Sequence, residues 1–167
     1  MIRVLVVALA LVLGLSSAPQ AEPLAQPQGP VLVTLAGAIG RTNVEGEARF
    51  DLEMLEALPG RSTTAATPWY EGARTFSGPL LSALLEAAGA EGRTLRVTAL
   101  NDYAAEIPMA DVQAHPVILA TRIDGKPLSI RDKGPAFVIY PFDLDPQLYN
   151  EMIFGRSVWQ VVRIEVF

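Results

Sequence analysis

Cysteine is absent from the 167 residues, which excludes disulfides, Cys-ligated zinc, iron–sulfur clusters and cysteine nucleophiles. Histidine occurs once, as His115 before Pro116 in a polar connection. It reads as a loop histidine, and a His-ligated metal or a Ser–His triad would hang on that one side chain. Basic clusters are missing too. Thirteen Lys+Arg face 18 Asp+Glu for a net charge of −5, with no basic face to meet nucleic acid phosphates. The chain contains no Gly-x-Ser-x-Gly elbow, no phosphate-binding glycine loop and no His-Glu-x-x-His. Asp143-Leu144-Asp145 lacks the glycine and terminal glutamate of a calcium loop and reads as a solvated turn. Motifs alone point to no enzyme.

What the chain does have is a 50% apolar composition with 19% charged residues, so a packed core is within reach and global disorder is excluded. The length suits one domain. Thirteen Gly and 13 Pro favour a turn-rich fold with strands over a helical bundle. Arg3 precedes an apolar run from Val4 to Leu15, followed by Ser16, Ser17 and Ala18. This is the pattern of a secretory signal peptide, residues 1–21, with cleavage expected after Ala21. As a helix the run rises only ~18 Å against a hydrocarbon core of ~30 Å; the rival reading is an uncleaved membrane anchor, and no membrane insertion is expected once the peptide is removed. Without cysteine there is no lipobox. An exported chain from a Gram-negative source would be periplasmic. Residues 22–30, with three Pro and two Gln, read as a flexible leader, and residues 31–167 as the domain.

Val31 to Ala36 is β-branched and ends at Gly37, which predicts a strand. Ala48 to Phe50 returns antiparallel after a turn at Asn43 to Gly46. Asp51 caps a short helix over Leu52 to Leu58, stopped by Pro59-Gly60. Gly78-Pro79 opens a helix carrying Leu80, Leu81, Leu84 and Leu85, with Pro79 in the first turn and Gly89 closing it. Strands are predicted over Leu95 to Leu100, Tyr103 to Ile107 and Val117 to Ile123, the last followed by the hairpin signal Asp124-Gly125. Ala136 to Tyr140 is a continuous apolar run and predicts a buried central strand. Ser157 to Phe167 predicts an alternating closing strand. With no sustained βαβ alternation, the class is α+β with a mixed or antiparallel sheet.

Three stretches gather aromatic and polar residues in turns: Thr67 to Gly72 (with Trp69 and Tyr70), Asn101-Asp102-Tyr103, and Arg131 to Pro135. A planar, nitrogen-rich heterocycle is served by that combination. Aromatic faces stack, a carboxylate accepts from ring N–H groups, and Arg or Lys donates to ring oxygens. Each stretch also has a plainer reading: Trp69 as a core aromatic, Asn101-Asp102 as an ordinary turn, and Arg131-Asp132 as a surface ion pair.

From about Phe50 to Phe142, and again from Phe154 to Val166, the chain resembles the oxidoreductase molybdopterin-binding domain of the sulfite oxidase family. The resemblance is carried by an ordered set of segments: Leu80 to Leu85, Asn101 to Pro108, Val117 to Thr121, Asp124 to Leu128, Arg131-Asp-Lys-Gly-Pro135, Arg156-Ser-Val-Trp159 and Arg163 to Glu165. It implies a single-domain, mixed-sheet α+β fold. It further implies a pterin pocket lined by the loop like Arg131 to Gly134, with the Arg156-Ser157 loop near the pterin side chain or its phosphate. Catalytic members hold molybdenum through a cysteine thiolate in the region aligning with Thr63 to Thr67. Here that region reads Ser62-Thr-Thr-Ala-Ala-Thr67, and a threonine hydroxyl does not replace a soft thiolate.

The exported length, the Thr67-Pro-Trp69 stretch and the missing cysteine are similar to small periplasmic pterin-binding receptors of the same fold. Such receptors report to an inner-membrane signalling protein, either a cyclic-di-GMP enzyme or a sensor kinase. That resemblance implies pterin contacts from Trp69, Asn101, Asp102, Tyr103, Arg131 and Lys133, with Arg156 and Ser157 as further candidates. It implies a tetrahydropterin or a neopterin- or monapterin-like ligand in preference to molybdenum cofactor. The rival readings are an oxidoreductase that holds molybdenum solely through the pterin dithiolene, and an accessory module for another ligand.

Overall fold

The computed structural model describes residues 23–167, so the expected signal peptide lies outside the described residues. Among the described residues no helix is long and apolar enough to cross a membrane. Strand β1 (Val33–Gly37) leads to β2 (Ala48–Phe50) and helix α1 (Leu52–Glu56). Asp51 does three jobs here. One carboxylate oxygen accepts from the Met54 backbone N–H at 2.9 Å, capping α1, and the other accepts from Gln28 at 2.7 Å and Gly29 at 2.8 Å. Its carboxyl is therefore held below the usual carboxylate range, most strongly by the Met54 N–H. The leader, read from composition as loose, is tied to the domain through this residue and through Asn43, whose amide donates to the Ala25 carbonyl.

The chain then enters a segment that local patterning does not mark as strands. Strands β3 (Gly60–Thr67) and β4 (Tyr70–Pro79) form a long antiparallel hairpin. Most of their side chains are small or polar, and only Thr63, Thr67, Phe76 and Pro79 are buried. No alternation of apolar residues announces them. Because Pro79 closes β4, helix α2 (Leu81–Ala87) begins one residue after Leu80, later than the expected first-turn proline. Leu81, Leu84 and Leu85 face inward, as their spacing predicts.

Strands β5 (Thr94–Ala99) and β6 (Ala104–Pro108) pair antiparallel. Helix α3 (Met109–Ala114), not anticipated from the sequence, follows at once. The run expected as a single strand from Val117 divides at Thr121 into β7 (Ile118–Ala120) and β8 (Arg122–Ile123), which belong to different sheets. The Asp124-Gly125 turn joins β8 to β9 (Lys126–Pro127). Both turn residues have positive φ, 49° and 77°, as a tight hairpin with matching twist requires. Strand β10 (Phe137–Ile139) is fully buried but pairs only with β7 in a two-stranded sheet, so it is not the centre of a large one.

Helix α4 (Glu151–Arg156), also unanticipated, is capped by the Asn150 side chain. The closing strand β11 (Val161–Val166) starts four residues later than expected, because Ser157 terminates α4 and Gln160 adopts a φ of 54°. A register shift between Val161 and Arg163 changes parity, so Val161, Ile164 and Val166 point inward.

The main sheet has the order β2-β1-β11-β5-β6, with β1 parallel to β11 and the other pairs antiparallel. A four-stranded sheet has the order β3-β4-β8-β9. The fold is α+β with a mixed sheet. One continuous core runs beneath both sheets, from Leu35, Val97 and Ile164 to Phe76, Phe137 and Ile139.

Candidate functional site

Four segments meet at a cleft of about 330 Å³. The end of β5 supplies Ala99, and the turn after it supplies Asn101 and Tyr103. The β3–β4 connection supplies Trp69, while the end of α4 and the residues after it supply Phe154, Ser157, Val158 and Trp159. The volume lies at the small end of the ~300–1,000 Å³ typical of small-molecule sites.

Each wall is braced by something buried. Phe137, with no exposed surface, packs edge-on against both tryptophans, with ring centroids 5.1 Å from Trp69 and 6.3 Å from Trp159. Trp69 also meets Phe154 edge-on at 5.7 Å. The turn at Asn101 closes on itself. Asp102, at φ 64°, donates its N–H to the Ala99 carbonyl, and the Asn101 side chain accepts from the Tyr103 N–H. The Tyr103 hydroxyl then donates to the Gly155 carbonyl at 3.0 Å, tying this turn to α4.

The Ser129 to Gly134 loop sits behind Trp159. Lys133, at φ 70°, holds its ammonium 4.9 Å from the Trp159 ring centre and 5.4 Å from that of Tyr70, a double cation–π arrangement. The Gln160 N–H donates to the Lys133 carbonyl and the Gln160 side chain to that of Ile130, locking the loop to the start of β11. Only glycine fits at 134, since a Cβ there would lie 2.2 Å from the Leu128 carbonyl oxygen. The Tyr70 hydroxyl donates to the Asp132 carbonyl, and burial, assisted by the Asp132 charge, pushes this phenol up.

Of the residues singled out from the sequence, Trp69, Asn101, Tyr103 and Ser157 come together on the cleft. Lys133 reaches it through the Trp159 ring. Asp102 shares the Asn101 turn without lining the cavity, and Arg131 is exposed on its loop outside the lining. Arg156 is turned to α3. Its guanidinium donates to Asp111 at 2.8 Å, on the carboxylate oxygen that also accepts from the Tyr140 hydroxyl. Burial, reinforced by that carboxylate, holds the Tyr140 phenol neutral. The sequence reading passed over Phe154, Val158, Ala99 and Trp159 as lining residues. Trp159 carried a usable signal, as the second of only two tryptophans and two residues after Ser157. Ala99 and Val158 carried none, being indistinguishable from core.

No Asp, Glu, Lys or Arg lines the cleft among the described residues. The lining residues with polar side-chain groups are Asn101, Tyr103, Ser157, Trp69 and Trp159, and the Tyr103 hydroxyl already donates to the Gly155 carbonyl. The Ser157 hydroxyl already donates to the Ile153 carbonyl. Such a cavity suits a planar, uncharged heteroaromatic ring.

The molybdenum implied by the resemblance does not fit this donor set. No thiolate exists in the chain. Thr63, fully buried in the aligned segment, accepts through its hydroxyl from Arg61. The Thr67 hydroxyl is buried and has no hydrogen-bond partner among the described residues, but it is a hard, poorly ionised donor. Nor is there a group of three or more His, Asp or Glu positioned for a metal among the described residues. The chain itself thus supplies no ligand set for the metal among the described residues, while the aromatic cleft offers surfaces for an organic ring.

The fold is similar to that of the sulfane dehydrogenase SoxCD from Paracoccus pantotrophus, with a TM-score of 0.62 and 21% sequence identity. The match covers 82% of this chain but only 38% of that one. No curated protein sequence matches significantly. Residues 41–144 match the family described as "Oxidoreductase molybdopterin binding domain", and with well over half its length in that match, alongside the mixed-sheet fold, the chain belongs to the oxidoreductase molybdopterin-binding domain family.

Proposed function

We propose that this family member is a non-catalytic, exported pterin-binding protein that reports its ligand to an inner-membrane signalling partner, a cyclic-di-GMP enzyme or a sensor kinase. The observation that carries the proposal is a cleft walled by two tryptophans and free of charged side chains, in a chain with no cysteine. A pterin bicycle stacks on an indole face and exchanges hydrogen bonds with amide and hydroxyl groups. Asn101 offers both a donor and an acceptor to the pyrimidinone edge. The ligand class is a tetrahydropterin or a neopterin- or monapterin-like compound.

The signalling half follows from location. A binder in the periplasm affects the cytoplasm only through a protein that spans the membrane. The ligand changes that partner's affinity only by interacting differently with its free and bound forms. The elements to order are the cleft lips around Trp69 to Gly72 and Asn101-Asp102. A coupling of ~1–3 kcal/mol is typical, and the partner must tighten pterin binding by the same factor.

Calorimetry of metal-free protein with neopterin- and monapterin-like compounds tests the first half. Saturable binding is expected. Absence of binding at high ligand concentration, with binding only of intact molybdenum cofactor or stoichiometric molybdenum in the isolated protein, overturns it in favour of a metal-dependent oxidoreductase. Repeating the titration with the partner's periplasmic domain tests the second half. Unchanged affinity within a demonstrated complex would leave a binder that does not signal.

A further inference from the structure

The hairpin that carries Trp69 leaves one edge of the four-stranded sheet open. Among the described residues strand β3 pairs only with β4. The direction of its backbone groups follows from β4's other neighbour. The Ser77 and Thr75 carbonyls accept from Thr121 and Asp124 on the β8 side, so Phe76, Gly78 and Arg74 turn their backbone groups towards β3. Their register partners Thr63, Arg61 and Ala65 therefore face β4. This leaves the backbone groups of Gly60, Ser62, Thr64 and Ala66 pointing outward. All four residues are exposed, and none of these outward groups meets a hydrogen-bond partner among the described residues.

Few of the usual devices that protect an edge are present among the described residues. Strand β3 is eight residues long, contains no proline or lysine, and departs from regular register only at Ala66/Thr67. Its one charged residue, Arg61, is neutralised within the same chain by Asp143 at 2.7 Å.

We infer that β3 is a self-association edge, pairing antiparallel with β3 of a second copy about a twofold axis at Thr63. Self-complementarity favours a second copy over a foreign peptide. Centred on Thr63, the register sets Ser62 opposite the partner's Thr64 and Gly60 opposite the partner's Ala66. Every outward residue then finds an outward partner, and each such pair exchanges two hydrogen bonds. Arg61 falls opposite the partner's Ala65, so no like charges meet. The side chains at the outward positions (none larger than threonine) let the two backbones approach. The interface is small and belongs to the weak, reversible class. It does not depend on what the cleft binds.

The absence of native cysteine makes the register testable. Full-length proteins carrying Ser62→Cys and Thr64→Cys are mixed in equal amounts and oxidised. Opposed Cα atoms in such a pair lie roughly 5.5 Å apart, within the range a disulfide spans. The mixed 62–64 disulfide should greatly exceed the half of all dimers that chance pairing gives. A chance distribution overturns the inference. In wild-type protein, amide protection at Ser62, Thr64 and Ala66 should rise with protein concentration. Protection that is absent, or present at every concentration because another part of the same chain covers the edge, also overturns it. Thr64→Pro removes an outward N–H that the monomer does not use, and should abolish the rise in sedimentation weight with concentration while keeping the monomer's circular dichroism. Should that variant fail to fold, Ala66→Lys serves the same purpose.

Discussion

The two larger sheets bury their residues in opposite styles. In the five-stranded sheet, β1, β5 and β11 send Val33, Leu35, Leu95, Val97, Ile164 and Val166 into the core, each at most 1% exposed. In the four-stranded sheet, the long β3–β4 hairpin buries few side chains, Phe76 alone among its large apolar ones. One sheet is the body of the domain, held by area removed from water. The other is a thin lip held chiefly by backbone pairing and by aromatic contacts at its base. The cleft opens where they meet, because its walls must be partly exposed to bind anything while remaining rigid enough to keep their shape. Tyr103 is 51% exposed and Trp159 37%, the latter packed on the buried Phe137 ring and the former tied to α4 through the Gly155 carbonyl.

The sharpest way to break this contrast is Phe137→Ala. This ring supports Trp69, Phe76 and Trp159 together, and its loss should cost about 3–5 kcal/mol of stability. It should also collapse the cleft, which chemical denaturation and ligand titration would report together. If the lip were independent of the body, binding would survive.

Trp69→Ala comes next. Half-buried against Phe137, Phe142 and Phe154, Trp69 serves the core and the cleft at once, so neither of the two simple roles read from the sequence describes it alone. Pterin affinity should fall by about 1–3 kcal/mol, by analogy with bases stacked on aromatics. The thermal midpoint should fall too, by less than in Phe137→Ala. An unchanged midpoint would place Trp69 on the lip alone.

Asp51→Ala probes the body, at a residue that does not line the cleft. Losing the α1 cap and the leader's anchor should lower the melting temperature by a few degrees without altering ligand affinity. Because the folded carboxyl titrates below its ordinary value, its stabilisation is complete above the unfolded pKa of about 3.9 and is lost as pH falls through the depressed folded value. The gap between wild type and variant should hold steady from neutrality down to about pH 4 and shrink below it.

The smallest expected effect is Lys133→Met, which keeps the stem but removes the charge from between Tyr70 and Trp159. Stability should fall by about 0.5–1 kcal/mol, the scale of an exposed cation–π contact. A shift in tryptophan emission would show that the Trp159 ring is less firmly held.

Most of the body was legible in the sequence, and much of the lip was not. Leu95 to Ala99 alternates cleanly and lies in one sheet, so a period-two reading finds it. In β3, Thr63 and Thr67 take the inward positions that apolar residues usually hold, and no hydrophobic period survives that choice. Helix α4 escaped notice for another reason: it is a single capped turn and a half whose one fully inward residue is Ile153. For the site, the turn-borne aromatics Trp69 and Tyr103 both fall on the cleft lining. Charge was a poorer guide, because Arg156 is as plausible a ligand contact as Lys133 until its pairing with Asp111 is seen.

By itself the sequence determined whatever depends on a few neighbouring residues. Asp51 caps α1 because its carboxylate reaches an N–H three residues on, and Asp124-Gly125 turns because both residues accept positive φ. The lack of cysteine likewise decided, without any coordinates, that no protein thiolate can hold a metal. Tertiary structure alone decided the division of Val117 to Ile123 between two sheets, the parity change at the start of β11, and the membership of the cleft. These depend on which distant segments compete for the same hydrogen bonds and the same buried volume. Phe137 braces Trp69 and Trp159 because three separate segments converge on one ring, and no local pattern encodes that convergence.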